Sequence, residues 1–122
     1  MDGADLEKLR HDIKNKIDYT HLCRRYDAED IDGLVELMVE LLSSRKAVWR
    51  IGDDSIPAAL MRRRISDIRS DHIEYIMDCL KENTARIRNI KQYLITALFN
   101  APATIGHFYR AEANHDWYGC GS

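Results

Sequence analysis

The sequence predicts a single, mainly α-helical domain of about six helices with one short β-hairpin, and three observations predict it. Apolar residues recur at three- and four-residue spacing in stretch after stretch. That period changes only once, in "AVWRIGDDSIP". The composition (122 residues, 45% hydrophobic, 31% charged) is that of an ordinary globular chain with a modest core. There is no internal repeat, low-complexity tract or linker, so residues 1–122 are expected to form one domain.

The first helix is expected from Ala4 to about Ile17, where Leu6, Leu9 and Ile13 make one thin apolar stripe. "DYTHLCRRYD" reads as an irregular turn that sets Tyr19, Leu22 and Tyr26 against the core. The next helix opens on "DAED", whose acids suit a positive helix N-terminus, with Asp27 as cap. Ile31, Leu34, Val35, Met38, Leu41 and Leu42 are its buried face, and Ser43 to Lys46 end it. In the stretch where the period shortens, "GDD" is turn chemistry between two short strands that must lie against the helices. Pro57 suits the first turn of the helix that follows, with Leu60, Met61, Ile65 and Ile68 inward.

"SDHIEYIMDCLKEN" starts another helix, and Asp71 with Glu74 has capping-box spacing. Ile73, Ile76, Met77 and Leu80 form its inner stripe. "RIRNIKQYLITALFNAP" then predicts a central helix. Ile87, Ile90, Leu94, Ala97, Leu98 and Ala101 share one face, and Ile95 and Phe99 a second. Asn100 before "AP" predicts a stop, since the residue preceding proline avoids the helical region. A last short helix is expected from Thr104, with Phe108 and Tyr109 docking back and Trp117 packing from the tail.

Charge and motifs exclude more than they assign. No apolar run reaches the roughly 20 residues of a membrane span, and three widely spaced cysteines without a CxxC pair fit reduced thiols. A cytoplasmic protein is expected. Glycine-rich phosphate loops, nucleophile elbows and zinc-protease motifs are absent, and the paired carboxylates Glu36 and Glu40 sit on a solvated helix face. His107, His115, Asp116 and Cys120 form the one cluster resembling metal ligands, at a spacing that matches no zinc framework. His72, in a helix first turn, is expected to make a local hydrogen bond. The expectation is a non-enzymatic domain without cofactor or metal.

The net charge of −2 hides an asymmetry: residues 1–61 carry nine Lys/Arg against 13 Asp/Glu, residues 62–122 nine against seven. The positive excess gathers at Arg62, Arg63, Arg64 and Arg69, and at Arg86, Arg88 and Lys91. Its bland reading is a solvated face pairing with Asp67, Glu74 and Glu82; its functional reading is an anionic partner at the front of the central helix. Tyr75 and Tyr93 fall partly off the main stripes and are candidates for stacking on single-stranded bases.

"DHIEYIMDCLKENTARIRNIKQYLITALFNAP", followed by "YRAEANHDW", closely resembles the C-terminal domain of replication initiator A proteins of plasmids and conjugative elements. The likeness continues back through "DIKNKIDYTHLCRRYDAEDIDGLVELMVELL" and "RIGDDSIPAALMRRRI". The resemblance implies a helical domain like that of the DnaD and DnaB primosome proteins. It also implies a DNA-binding winged-helix domain ahead of this one in the full-length initiator. This chain would then begin as a C-terminal piece near Asp2, after an added methionine. The implied role is recruitment of host replication machinery, with primase the leading candidate. The matching DnaD segment, Asn89 to Asn100 here, is linked to single-stranded DNA binding, but Phe99 stands where that motif has tryptophan and no basic tail follows. Recruitment through the basic residues is therefore the expected function, with a single-stranded DNA-binding module and a homodimerising module as alternatives.

Overall fold

The computed structural model describes residues 3–111 of the chain, without the side chains of residue 84 and residues 104–111. The order of elements is α1 (Gly3–Lys16), α2 (Tyr19–Arg25), α3 (Ala28–Ser43), β1 (Val48–Ile51), β2 (Asp54–Pro57), α4 (Ala58–Ser66), α5 (Ser70–Asn83), a 3-10 turn (Thr84–Arg86) and α6 (Ile90–Ala111). This is the mainly α domain with one hairpin that the periodicity predicts.

Helix α3 starts as expected, with the Asp27 carboxylate accepting from the Glu29 N–H at 3.0 Å. Leu34, Val35, Met38 and Leu41 are buried along it. It packs against α1, α2 and α4. β1 and β2 are antiparallel, with Trp49 opposite Ile56 and Ile51 opposite Asp54. The loop is the residue pair Gly52–Asp53. Gly52 alone has positive φ (60°), the pattern of a type II′ turn, where a residue without Cβ fits. Pro57 closes β2 and stands as the residue capping α4 rather than inside its first turn.

Three sequence expectations are corrected. "YTHLCRR" is a helix, α2, not an irregular turn. Asp18 ahead of it takes a left-handed conformation (φ 57°), which turns the chain while Ile17 and Leu22 on either side stay buried. At the start of α5, His72 rather than Glu74 completes the cap: its Nδ1 accepts from the Arg69 N–H at 2.8 Å. Arg69 holds the capping position, since its carbonyl accepts the first helical bond, from the Ile73 N–H. Glu74 instead accepts from Arg25 Nη1, and the Tyr26 hydroxyl donates to Asp78 at 2.8 Å, so α2 is clasped to α5. Finally, α6 does not stop at Asn100. It runs through Pro102 to Ala111, so the separate helix from Thr104 is its continuation.

Proline inside a helix removes one backbone bond and crowds the carbonyl four residues back. Neighbouring Phe99 is supported from outside: Arg64 Nη1 donates to its carbonyl at 3.1 Å, and the guanidinium lies 4.6 Å from its ring centre. One contiguous core joins Ile13, Ile17, Leu22, α3, Trp49, Met61, Ile65, Ile68, Ile73, Ile76, Ile95, Leu98 and Ala101. Cys79 is buried on α5, and Cys23 is half-buried; both are free thiols. No helix among the described residues is long and apolar enough to cross a membrane.

Candidate functional site

The seven basic residues singled out in the sequence do not converge on one spot. Arg62 and Arg63 are exposed on α4, whereas Arg64 is half-buried and committed to Phe99. Arg69 caps the start of α5 and Arg86 follows its far end, roughly 20 Å away along a 14-residue helix. Arg86 and Arg88 precede α6 rather than forming its first turn. The cap there is Asn89, whose Oδ1 accepts from the Gln92 N–H at 3.0 Å. Only Lys91 lies on the helix itself, with its Nζ 3.2 Å from Glu40 Oε2. Arg62, Arg63, Arg69, Arg86 and Arg88 are exposed and make no ion pair among the described residues; the pairing expected between the α4 arginines and Glu74 is replaced by Arg25. Tyr75 and Tyr93 are both half-buried, and burial raises the Tyr93 hydroxyl above its ordinary pKa.

Sequence reading missed two basic residues near Lys91. Lys46, just ahead of the hairpin, and Arg50 of β1 line a cleft of about 260 Å³ with Asn89, Lys91 and Gln92. Gln92 Nε2 donates to the Arg50 carbonyl at 3.0 Å, which ties β1 to the first turn of α6. Lys46 sits 4.4 Å over the ring of Trp49, so the tryptophan is a core residue with a cation on its outer face.

The larger concavity lies on another side. α3, α5 and α6 enclose an open groove of about 600 Å³. Its floor is Leu34, Leu37, Met77, Leu80, Ile90 and Leu94. The stripe predicted as the main buried face of α6 is thus only partly covered: Ile95, Leu98 and Phe99 take the core, and Ile90 is left 46% exposed. Along the rim stand Glu29, Asp30, Glu36 and Glu40, with Lys91 the one cation in the lining among the described residues. Glu36 accepts a two-pronged contact from Arg10 of α1, Nη2 to Oε1 being 2.9 Å, and this hydrogen bonding holds its carboxyl below the usual range. Glu29 and Asp30 make no ion pair among the described residues. In the middle of the α3 wall is Gly33, where an added Cβ would meet nothing within 4 Å. The groove was partly legible, because Gly33 interrupts an otherwise strong helix pattern and Ile90 belongs to a stripe wider than one neighbour can cover.

Among the described residues no group of three or more His, Cys, Asp or Glu could hold a metal ion. The cluster of His107, His115, Asp116 and Cys120 lies outside the described side chains, as do the expected contacts of Phe108, Tyr109 and Trp117. His72 makes the local hydrogen bond expected of it.

No curated protein and no solved structure matches the chain. A protein family does match, over residues 1–120, and by that match the chain belongs to DUF6017, a family of unknown function.

Proposed function

We propose that this domain is a recruitment module: it docks a partner protein, and the resemblance to initiator A C-terminal domains makes that partner a component of the bacterial replication apparatus, primase first. The observation that carries the reading is the open, apolar-floored groove between α3, α5 and α6. Its lining supplies leucines, an isoleucine, a methionine and carboxylates, which suit docking of another chain better than turnover of a small substrate. Arg62, Arg63, Arg86 and Arg88, exposed and without an ion pair among the described residues, add an electrostatic component to the contact.

The test is a titration of purified bacterial primase into the domain, followed by sedimentation velocity. Ile90→Asp should weaken binding at least tenfold, because it places a charge on an exposed anchor without touching the core. Arg63→Glu with Arg88→Glu should also weaken it while leaving the Tm nearly unchanged. Primase binding indifferent to all three changes, or none at all, would remove the proposal. The unpaired arginines favour one second reading, single-stranded DNA binding, which anisotropy of a labelled oligonucleotide distinguishes. A nucleic-acid complex must weaken steeply and regularly with salt.

A further inference from the structure

We propose that the occupant of the α3–α5–α6 groove is an amphipathic helical segment with basic flanks, carried by another protein. The inference rests on the docking reading above and adds the chemistry of what docks. Three features point to it. The first is charge: four carboxylates and one lysine line the groove, and of these Glu36 is paired with Arg10 and Glu40 with Lys91. Glu29 and Asp30, at the other end, are exposed and pair with no cation among the described residues, so positive charge on the occupant complements the rim there.

The second is shape. Glu29 to Glu40 spans about 16 Å of helix, the length of three turns, and leucine, isoleucine and methionine side chains line the groove beside it. A helix laid there presents one residue in every three or four to Leu37, Ile90 and Leu94. The third is Gly33. Glycine weakens the interior of a helix, and no atom of the described residues lies within 4 Å of where a Cβ at Gly33 would stand. An occupant pressed close to the α3 backbone does need it.

A synthetic peptide of about 14 residues, roughly four turns, carries the test, with leucines on one helical face and lysines elsewhere. It is titrated into the isotope-labelled domain, and amide chemical shifts are followed. The expected result is saturable shifts at Gly33, Leu37, Ile90 and Leu94, at least tenfold weaker binding when glutamates replace the lysines, and loss of binding when the leucines are scrambled. Gly33→Ala separates docking from folding: it should raise the Tm by a few degrees yet weaken the peptide at least tenfold. Shifts centred elsewhere, equal affinity for the glutamate peptide, or a Gly33→Ala domain that binds as well as the parent would each overturn the inference. So would groove shifts that grow with protein concentration alone, which would make a second copy the occupant. If the peptide behaves as expected and primase does not bind, the groove chemistry stands and the replication partner falls. The reverse result leaves recruitment standing without this occupant.

Discussion

At the scale of single residues, His72 and Arg64 show how polar groups are spent on backbone ends. His72 Nδ1 accepts from the Arg69 N–H only while neutral, and burial keeps its pKa below 6.5 although Asp71 pulls the other way. On unfolding the ring returns to about 6.5. The folded state therefore has its full cap above that pH and loses stability as pH falls through the lower, folded value. Urea midpoints at about pH 7.5 and 5 should show a smaller loss for His72→Gln, whose side-chain oxygen accepts without titrating. An unchanged loss in the variant would sink the assignment. Arg64 does comparable work at Phe99. Arg64→Met keeps most of the packing stem but removes the donor and the ring contact, at about 1–2 kcal/mol by chemical denaturation. Neither role was legible beforehand. A run of three arginines looks the same whether its third member faces water or a carbonyl 35 residues on.

At the scale of elements, periodicity located every helix but α2, and local chemistry misplaced their joints. The Asn-Ala-Pro stop failed because Pro102 falls where α6 is held from both sides by core contacts and by Arg64, so tertiary packing outweighs the local preference. A double-mutant cycle tests this. In a Pro102→Ala background the helix regains its backbone bond, and Arg64→Met should cost less by about 0.5–1 kcal/mol; strict additivity would mean the two are unrelated. α2 escaped notice because seven residues with little apolar repeat give a weak signal, and its support comes from Glu74 and Asp78 some 50 residues later. Burial, joined by the Asp78 bond, pushes the Tyr26 hydroxyl up to about 12. Tyr26→Phe should therefore loosen the α2–α5 clasp by about 1 kcal/mol. In the hairpin, Gly52→Ala forces a side chain into positive φ and should cost on the order of 1 kcal/mol.

At the scale of the whole molecule, one cluster of buried side chains runs from Ile13 of α1 to Ala101 of α6, so the elements should unfold together. With Trp117→Phe in place, fluorescence of the buried Trp49 and far-ultraviolet circular dichroism should trace the same denaturation curve; separated curves would mean independent subunits of structure. The groove was the least legible feature, since Gly33 stands 44 residues before Met77 and 57 before Ile90, and only the fold brings the three to one depression. Cys79 supplies a clock on that same region. Its thiol is buried on α5, the helix that carries Met77 and Leu80, and no disulfide holds it. A thiol reagent reaches it only when α5 lifts away, so with Cys23 and Cys120 replaced by serine, the modification rate reports the frequency of that opening. An occupant gripping α5 would slow the clock by the factor with which it favours the closed state, without any label on the partner.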